Sequence, residues 1–271
     1  DIGHRVQARR DGMLDEPAQQ RALASLAKFG EALREHAPDA VHAVATNTLR
    51  VAKNAAAFLE RAQSALGYPI EVISGHEEAR LIYSGVAHRV PANGPRLVVD
   101  IGGGSNELII GTGLTPTEAI SLQMGCVGYS LKYFGGGELT EANFCAAEKA
   151  ARNELKRACE ALREHRFDTA IGSSGTARAL ASMIKSGGDG REVITRTGLQ
   201  NLRQLFLQAR SIERLKLRGL RPDRAAVIAG GHAIMTSVFN EFGLEEMQVT
   251  RAALREGVLY DLLDRPDSTH A

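Results

Sequence analysis

No apolar run among the 271 residues approaches the ~18 that a membrane-spanning helix needs. Cysteine is scarce: Cys126, Cys145 and Cys159 are too few, and odd in number, for a disulfide framework, and they read as reduced thiols. An excess of either charge is missing too, with 33 Lys and Arg against 32 Asp and Glu, a formal net charge of +1. That balance argues against a nucleic-acid coat and a polybasic membrane binder, while leaving room for a local basic groove. The start, Asp1-Ile2-Gly3-His4-Arg5-Val6, has no initiator methionine and no apolar signal-like stretch, so the cytoplasm is the expected location. The histidines show no His-x-x-x-His or Cys–His metal spacing, and His232, after two glycines, reads as packed or solvent-facing.

What is present reads as an α/β protein. Leu23, Leu26, Phe29 and Leu33 recur at helical spacing and predict a helix over 16–37. Residues 41–45 alternate as a strand. Thr46, Asn47 and Thr48 are candidate caps for one helix running to about Leu66, where Gly67 stops it. A strand over 69–73 and a helix over 76–88 follow. Pro91-Ala92-Asn93-Gly94-Pro95 is a turn-rich break and the expected boundary between a first lobe, 1–90, and a second, 91–263, with a polar tail over 264–271. The second lobe opens with strands over 96–101, 106–111 and 118–122, a three-strand antiparallel meander. Helices follow at about 140–165, 175–185, 198–210, 223–242 and 253–263, interrupted by short strands near 169–171 and 247–249. A meander followed by alternating helices and strands points to a two-lobed, ribonuclease-H-like or actin-like architecture.

The strongest chemical signal is Val99-Asp100-Ile101-Gly102-Gly103-Gly104-Ser105-Asn106-Glu107-Leu108. Three glycines let a backbone approach a ligand closely and aim successive N–H groups at an anion. Asp100, at the end of a buried strand, suits a Mg²⁺ or metal-bound water, Ser105 can donate to a phosphate oxygen, and Glu107 adds a second carboxylate. A dinucleotide fingerprint fails on context, because a strand rather than a helix follows the glycines, and no Walker lysine is present. The plain alternative is a hairpin with a glycine turn.

Three weaker segments accompany it. In Ser74-Gly75-His76-Glu77-Glu78-Ala79-Arg80, Ser74 and Glu77 fit a capping box, which explains Glu77 but not Glu78. A carboxylate at a helix start can activate water, although from this segment alone a solvated face is the commoner case for Glu78. Ala45-Thr46-Asn47-Thr48-Leu49-Arg50 makes either a phosphate clamp or an ordinary cap with a surface arginine. Ile171-Gly172-Ser173-Ser174-Gly175-Thr176 is a strand–glycine loop–helix passage that serves equally as an anion site or a tight connection. The basic stretch Arg214, Lys216, Arg218, Arg221 and Arg224 reads as a solvated face, with a polyanion contact as the alternative, and Arg255-Glu256 as a surface pair or a buried ion-pair partner.

Taken in order, these segments, with Met124-Gly125-Cys126 and Leu254-Arg255-Glu256-Gly257-Val258-Leu259-Tyr260, resemble the exopolyphosphatase / guanosine pentaphosphate phosphohydrolase family over nearly the whole chain, closest to its exopolyphosphatase branch. The resemblance implies the acetate and sugar kinase–Hsc70–actin type of fold, with a cleft between two lobes. It implies Mg²⁺-dependent release of terminal orthophosphate from inorganic polyphosphate, with guanosine pentaphosphate 5′-hydrolysis as the runner-up. A non-catalytic polyphosphate or nucleotide sensor is the reading of a different class, and a sugar kinase is weaker still. By resemblance Glu78 matches the catalytic base and Asp100 and Glu107 the metal carboxylates. Gly102, Gly103, Gly104 and Ser105 match the phosphate loop. Arg50, with Asn47 beside it, matches a substrate-phosphate contact, and Ser174, Gly175 and Thr176 match a segment that would meet a nucleoside. A homodimer is expected from the family, and no nucleic-acid partner. Two parts of the family pattern are not in these residues: an opening strand pair with an Asp-x-Gly-Ser-Asn-Ser loop, ~25–40 residues by usual strand and turn lengths, and a C-terminal helical region of metal-phosphohydrolase type. The expectation is therefore a piece of a longer protein.

Overall fold

Asp15 starts the first helix: its carboxylate accepts the Ala18 N–H at 2.7 Å, and Pro17 sits in the first turn of α1 (Glu16–His36). The computed structural model describes residues 12–162, 164–189 and 192–264. The opening residues Asp1–Val6, the Cys159 side chain and the expected tail beyond Asp264 lie outside the described residues. The described chain forms two compact units, one reaching Glu78 and resuming at Val258, the other Ala79–Gly257.

In the first unit α1 buries Ala18, Ala22 and Gly30, while Phe29 is 52% exposed and Leu23, Leu26 and Leu33 are half-buried. The buried stripe is thus the small-residue face rather than the expected leucine face. A Cβ at Gly30 would stand 3.0 Å from the Ala65 carbonyl oxygen, so the neighbouring helix approaches where side chains are smallest. Strand β1 (Ala43–Ala45) leads into α2 (Asn47–Val51), and α3 (Ala55–Leu66) follows. The single helix expected over 46–66 is therefore two. The Asn54 side chain accepts the Leu14 N–H at 2.9 Å and donates to the Leu14 carbonyl at 3.0 Å, and Ala52 is extended. An asparagine that satisfies distant backbone in this way competes with helix continuation. Strand β2 (Ile70–Val72) lies parallel to β1, pairing Val44 with Glu71, and α4 (Gly75–Arg89) follows it.

The second unit is built on a six-stranded sheet. The meander is as expected: β3 (Arg96–Ile101), β4 (Asn106–Thr112) and β5 (Thr115–Leu122) pair antiparallel in sequence order. Next along the chain come α5 (Cys126–Phe134), α6 (Glu141–Leu162), β6 (Thr169–Ser173), α7 (Ser174–Ile184), β7 (Val193–Thr195), α8 (Arg196–Ala209), α9 (Ala225–Glu241), β8 (Glu246–Val249) and α10 (Leu254–Asp264). The spatial order is β5-β4-β3-β6-β8-β7, with β3, β6 and β8 parallel and β7 antiparallel to β8. Sequence reading missed α5 and β7. The turn at 91–95 falls inside this unit, between α4 and β3.

Every residue of β3 is buried, because both sheet faces are covered. Leu97, Val99, Ile101, Leu108 and Ile110 face one cluster with residues of α5, α6, α7 and α9. Val98, Ile109 and Ile171 face the other, with Ile82, Tyr83 and Val86 of α4. Among the described residues no helix is long and apolar enough to cross a membrane.

Two glycines fix how α10 meets α4 within this unit. A Cβ on Gly257 would overlap the Leu81 carbonyl and lie 3.2 Å from the Gly85 nitrogen, and one on Gly85 would lie 2.7 Å from the Gly257 nitrogen. The obstructing atoms are backbone and cannot swing aside. Gly257→Ala should therefore cost about 1–3 kcal/mol as an overpacking substitution, outweighing the ~1 kcal/mol of helix propensity it gains. Urea denaturation of the variant against the parent measures this.

Candidate functional site

In the first unit, one carboxylate is held at a helix start. Ser74 caps α4, its hydroxyl accepting the Glu77 N–H at 3.1 Å, while the Glu78 N–H donates to the Ser74 carbonyl at 2.9 Å. Glu78 is 7% exposed. Arg50 of α2 donates from Nη1 to Glu78 Oε2 at 2.7 Å and to the Ile73 carbonyl at 3.0 Å. The Thr46 hydroxyl, which caps nothing, is a second hydrogen-bond partner of Glu78. Burial raises the Glu78 pKa above the ordinary carboxylate value, and the Arg50 and Thr46 contacts pull it only part of the way back. Arg50 Nη2 and the Asn47 Oδ1 are buried and without hydrogen-bond partners among the described residues. Arg50 is thus first the carboxylate's partner, with one amino group left over.

In the second unit, the glycine loop connects β3 and β4. The Gly102 N–H donates to the Ser105 carbonyl at 2.9 Å, closing a tight turn. The first N–H groups of α5 then take the loop's carbonyls, Cys126 on Gly102 at 2.9 Å and Val127 on Gly103 at 3.0 Å. In a trans peptide the N–H points opposite the C=O. The carbonyls of Gly102 and Gly103 face α5, so the N–H groups of Gly103 and Gly104, in the same two peptide planes, face the other way. Gly102 and Gly103 are half-buried and Gly104 is exposed, so the turn is open on its N–H side. Gly125 makes the contact possible: a Cβ there would overlap the Gly103–Gly104 peptide.

Register brings the two loop carboxylates together. Asp100 pairs directly with Glu107 across the antiparallel β3–β4 ladder and with Ser173 across the parallel β3–β6 ladder. Asp100 is 7% and Glu107 1% exposed, and Ser121 Oγ donates to Glu107 at 2.9 Å. Directly opposed like charges are unfavourable, and a hard cation with oxygen preference relieves that repulsion. Mg²⁺, which commonly binds through one or two carboxylates and completes its shell with water and phosphate oxygens, fits this donor set. No group of three or more such ligands exists among the described residues, so the protein side would be these two.

The loop over 172–176 sits beside the first. Ser173 Oγ donates to the Ala252 carbonyl at 3.0 Å, and Thr176 Oγ1 to the Ile101 carbonyl at 2.9 Å. Thr176 thereby ties α7 to the end of β3, its single hydroxyl proton committed. Ser174 has φ +85°, a strained value for a residue with a side chain. Gly175 lies against Arg224, whose Cζ would be 2.7 Å from a Cβ at that position. The solvated-face reading of the basic stretch does not hold for Arg224, which is half-buried against this loop, while Arg221 pairs outward with Asp223 at 3.0 Å. The Arg255-Glu256 pair is corrected too, since Glu256 accepts the Ala253 N–H at 2.9 Å as the back-reaching half of a cap on α10. His232 is packed, 0% exposed, with Nε2 2.8 Å from the Leu199 carbonyl and its pKa pushed down to about 4 by burial. It belongs to a separate cavity of about 210 Å³ walled by α6, α8 and α9, which none of the loop residues lines.

A strand–glycine–strand loop, two opposed carboxylates and a meander leading into parallel strands belong to the actin-like ATPase fold. The model of the Ppx/GppA phosphatase family matches residues 4–266, and the chain belongs to that family. The solved structure of the Aquifex aeolicus Ppx/GppA family member is 30% identical, with a TM-score of 0.77, over 97% of this chain and 86% of that one. An exopolyphosphatase from Cytophaga hutchinsonii, also 30% identical, superimposes with a TM-score of 0.82 over 93% of this chain and 84% of that one. Sequence reading missed the Thr46 contact, the role of Gly125 and the placement of Arg224. The apolar spacing of Cys126, Val127, Tyr129 and Phe134, all buried, was the available signal for α5.

Gly125→Ala should remove most phosphatase activity and cost about 1–3 kcal/mol, because the new methyl displaces the Gly103–Gly104 peptide. Gly128→Ala, in the same helix but exposed and with nothing within 4 Å of its Cβ position, should gain up to about 1 kcal/mol and keep activity. Phosphate release and urea midpoints of the two variants make the comparison.

Proposed function

We propose that this protein is an exopolyphosphatase that uses Mg²⁺ to release terminal orthophosphate from inorganic polyphosphate. The observation that carries the reading is the glycine loop whose carbonyls are locked by α5 and whose N–H groups are left for an anion. The name of the Cytophaga hutchinsonii relative supports the substrate.

The Gly103 and Gly104 amides and Ser105 take the terminal phosphoryl oxygens. Glu78 accepts the proton of the attacking water as its oxygen bonds to the terminal phosphorus. The bridging P–O bond breaks, and the shortened chain leaves as an oxyanion. Asp100 and Glu107 would hold the Mg²⁺, which would neutralise phosphate charge. Catalysis of this kind is mostly positioning and electrostatics. A carboxylate with a raised pKa is a stronger base near neutral pH than an ordinary one.

Glu78→Gln should lower kcat about 10²–10⁴-fold with little change in KM, measured as phosphate release from long-chain polyphosphate. The base works only when deprotonated, so activity should fall as pH drops through the raised Glu78 pKa. Arg50 opposes that rise, so Arg50→Ala should move the acidic limb of the pH–rate profile to higher pH.

Substrate choice is read by comparing phosphate release from polyphosphate and guanosine pentaphosphate, with and without Mg²⁺. Faster Mg²⁺-dependent release from polyphosphate is the expected result. Preference for guanosine pentaphosphate would replace this reading with the nucleotide phosphohydrolase, and tight polyphosphate binding without release would replace it with a sensor.

A further inference from the structure

Four arginines from four separate segments meet at the carboxyl ends of β6 and β8. Arg224 lies on Gly175, at the first turn of α7. Arg178, one turn into that helix, donates from Nε to the Ser174 carbonyl at 3.2 Å. Arg251 follows β8, and the neighbouring Ala252 carbonyl accepts from Ser173 Oγ, which holds this stretch against the end of β6. Arg255 is one helical turn further, at the start of α10. Arg178, Arg251 and Arg255 are exposed and Arg224 is half-buried. Burial first, then the charges of Arg224, Arg255 and Arg251, hold the Arg178 pKa below its ordinary value, so the other three guanidinium groups lie within electrostatic reach of Arg178.

None of the four pairs with a carboxylate among the described residues. Glu256, whose charge acts on Arg178, has one oxygen committed to the Ala253 N–H. A near-neutral protein that gathers four cations without neutralising them accepts a repulsion that a bound polyanion would reverse. Guanidinium groups suit that role, because their planar fork matches phosphate oxygens and their charge cannot be titrated away. The cluster also adjoins the glycine loop, since β3 and β6 are hydrogen-bonded neighbours and Thr176 ties the two loops.

We propose that Arg178, Arg224, Arg251 and Arg255 form a second anion subsite that holds interior phosphates of a polyphosphate chain whose end occupies the glycine loop. This assignment rests on the exopolyphosphatase reading for its substrate. It differs from what resemblance implies for the 172–176 loop: the recognised group is a run of phosphates rather than a nucleoside. The subsite makes affinity depend on chain length, because a chain too short to reach it gains nothing from the arginines.

The test is the triple variant Arg178→Gln/Arg251→Gln/Arg255→Gln, which leaves Arg224 beside the loop and changes only exposed side chains. Long-chain polyphosphate should bind about tenfold or more weakly, and the dependence of log Kd on log salt should flatten by about 2, near 0.7 per lost phosphate contact. kcat and the KM for tripolyphosphate should stay within twofold. The triple Lys variant should recover part of the long-chain affinity. Unchanged long-chain Kd and salt slope would overturn the subsite, as would an equal loss on tripolyphosphate. An equal loss on guanosine pentaphosphate would assign the arginines to the nucleotide and overturn the chain assignment. Kd is read by titration in the Glu78→Gln background, where no turnover is needed. A parent protein that releases no phosphate therefore defeats the proposed activity, while the binding arm still decides the subsite.

Discussion

The helix α5 spends its first N–H groups on the carbonyls of Gly102 and Gly103. The N-terminus of a helix is ordinarily itself an anion site, with unpaired N–H groups and the positive end of the dipole aimed outward. Here that polarity is passed one step along. Once the two carbonyls are pinned, the planarity of the peptide fixes the opposite direction for the N–H groups of Gly103 and Gly104. A glycine turn without such a clamp would sample many orientations, since glycine carries the largest backbone freedom. The helix therefore converts a flexible turn into a preset arrangement of donors. Gly125 is where the whole device is vulnerable, because the clamp needs peptide against peptide with no side chain between them.

Carboxylates are handled differently in the two units. Glu78 is buried with one arginine and one hydroxyl, and burial still dominates its protonation. Such a carboxylate is kept basic by its surroundings and restrained by its partners. Asp100 and Glu107 instead face each other across one ladder position, in the interior end of an otherwise apolar strand pair. A sheet designed for stability alone would put Val or Ile there, as it does at Val98 and Ile109 on the same face. Placing two acids on the buried face carries a cost that hydrogen bonds such as the one from Ser121 offset in part and a bound cation would offset further. The same strand thus reads as core for four residues and as chemistry at its carboxyl end, the usual location of sites in open α/β sheets.

Much of this was readable beforehand, and the failures have physical causes. The strands over 96–101 and 106–111 carry the apolar runs Leu97-Val98-Val99 and Leu108-Ile109-Ile110, bounded by Pro91–Pro95 and by three glycines, so both their existence and their hairpin followed from composition. The Asp100–Glu107 pairing follows from that hairpin once the turn length is known. The break between α2 and α3 did not follow, because it depends on Asn54 reaching residue 14, forty positions away. The burial of α1 through Ala18, Ala22 and Gly30 was missed because periodicity ranks large apolar residues above small ones, whereas close helix approach selects small ones. Thr46 was legible as a cap by residue type, but its hydroxyl turned to Glu78 instead.

The net charge of +1 was the least informative quantity of all. It describes a sum, whereas recognition of a polyanion depends on where cations go unanswered. Several arginines are answered by carboxylates: Arg50 by Glu78, Arg61 by Glu16, Arg152 by Glu241, Arg196 by Glu245, Arg203 by Glu141 and Glu148, Arg221 by Asp223. The group at the ends of β6 and β8 has no such partner among the described residues, and it is assembled from residues 178, 224, 251 and 255 that no short sequence window contains together. The apparent basic stretch over 214–224 is by contrast contiguous in sequence but not in purpose, since Arg221 faces its own carboxylate and Arg224 turns to Gly175. Charge patterning along a chain finds tails and amphipathic faces. It does not find a patch that four strand and helix ends build in space, and the parallel order of β3, β6 and β8 is what brings those ends to one edge of the sheet.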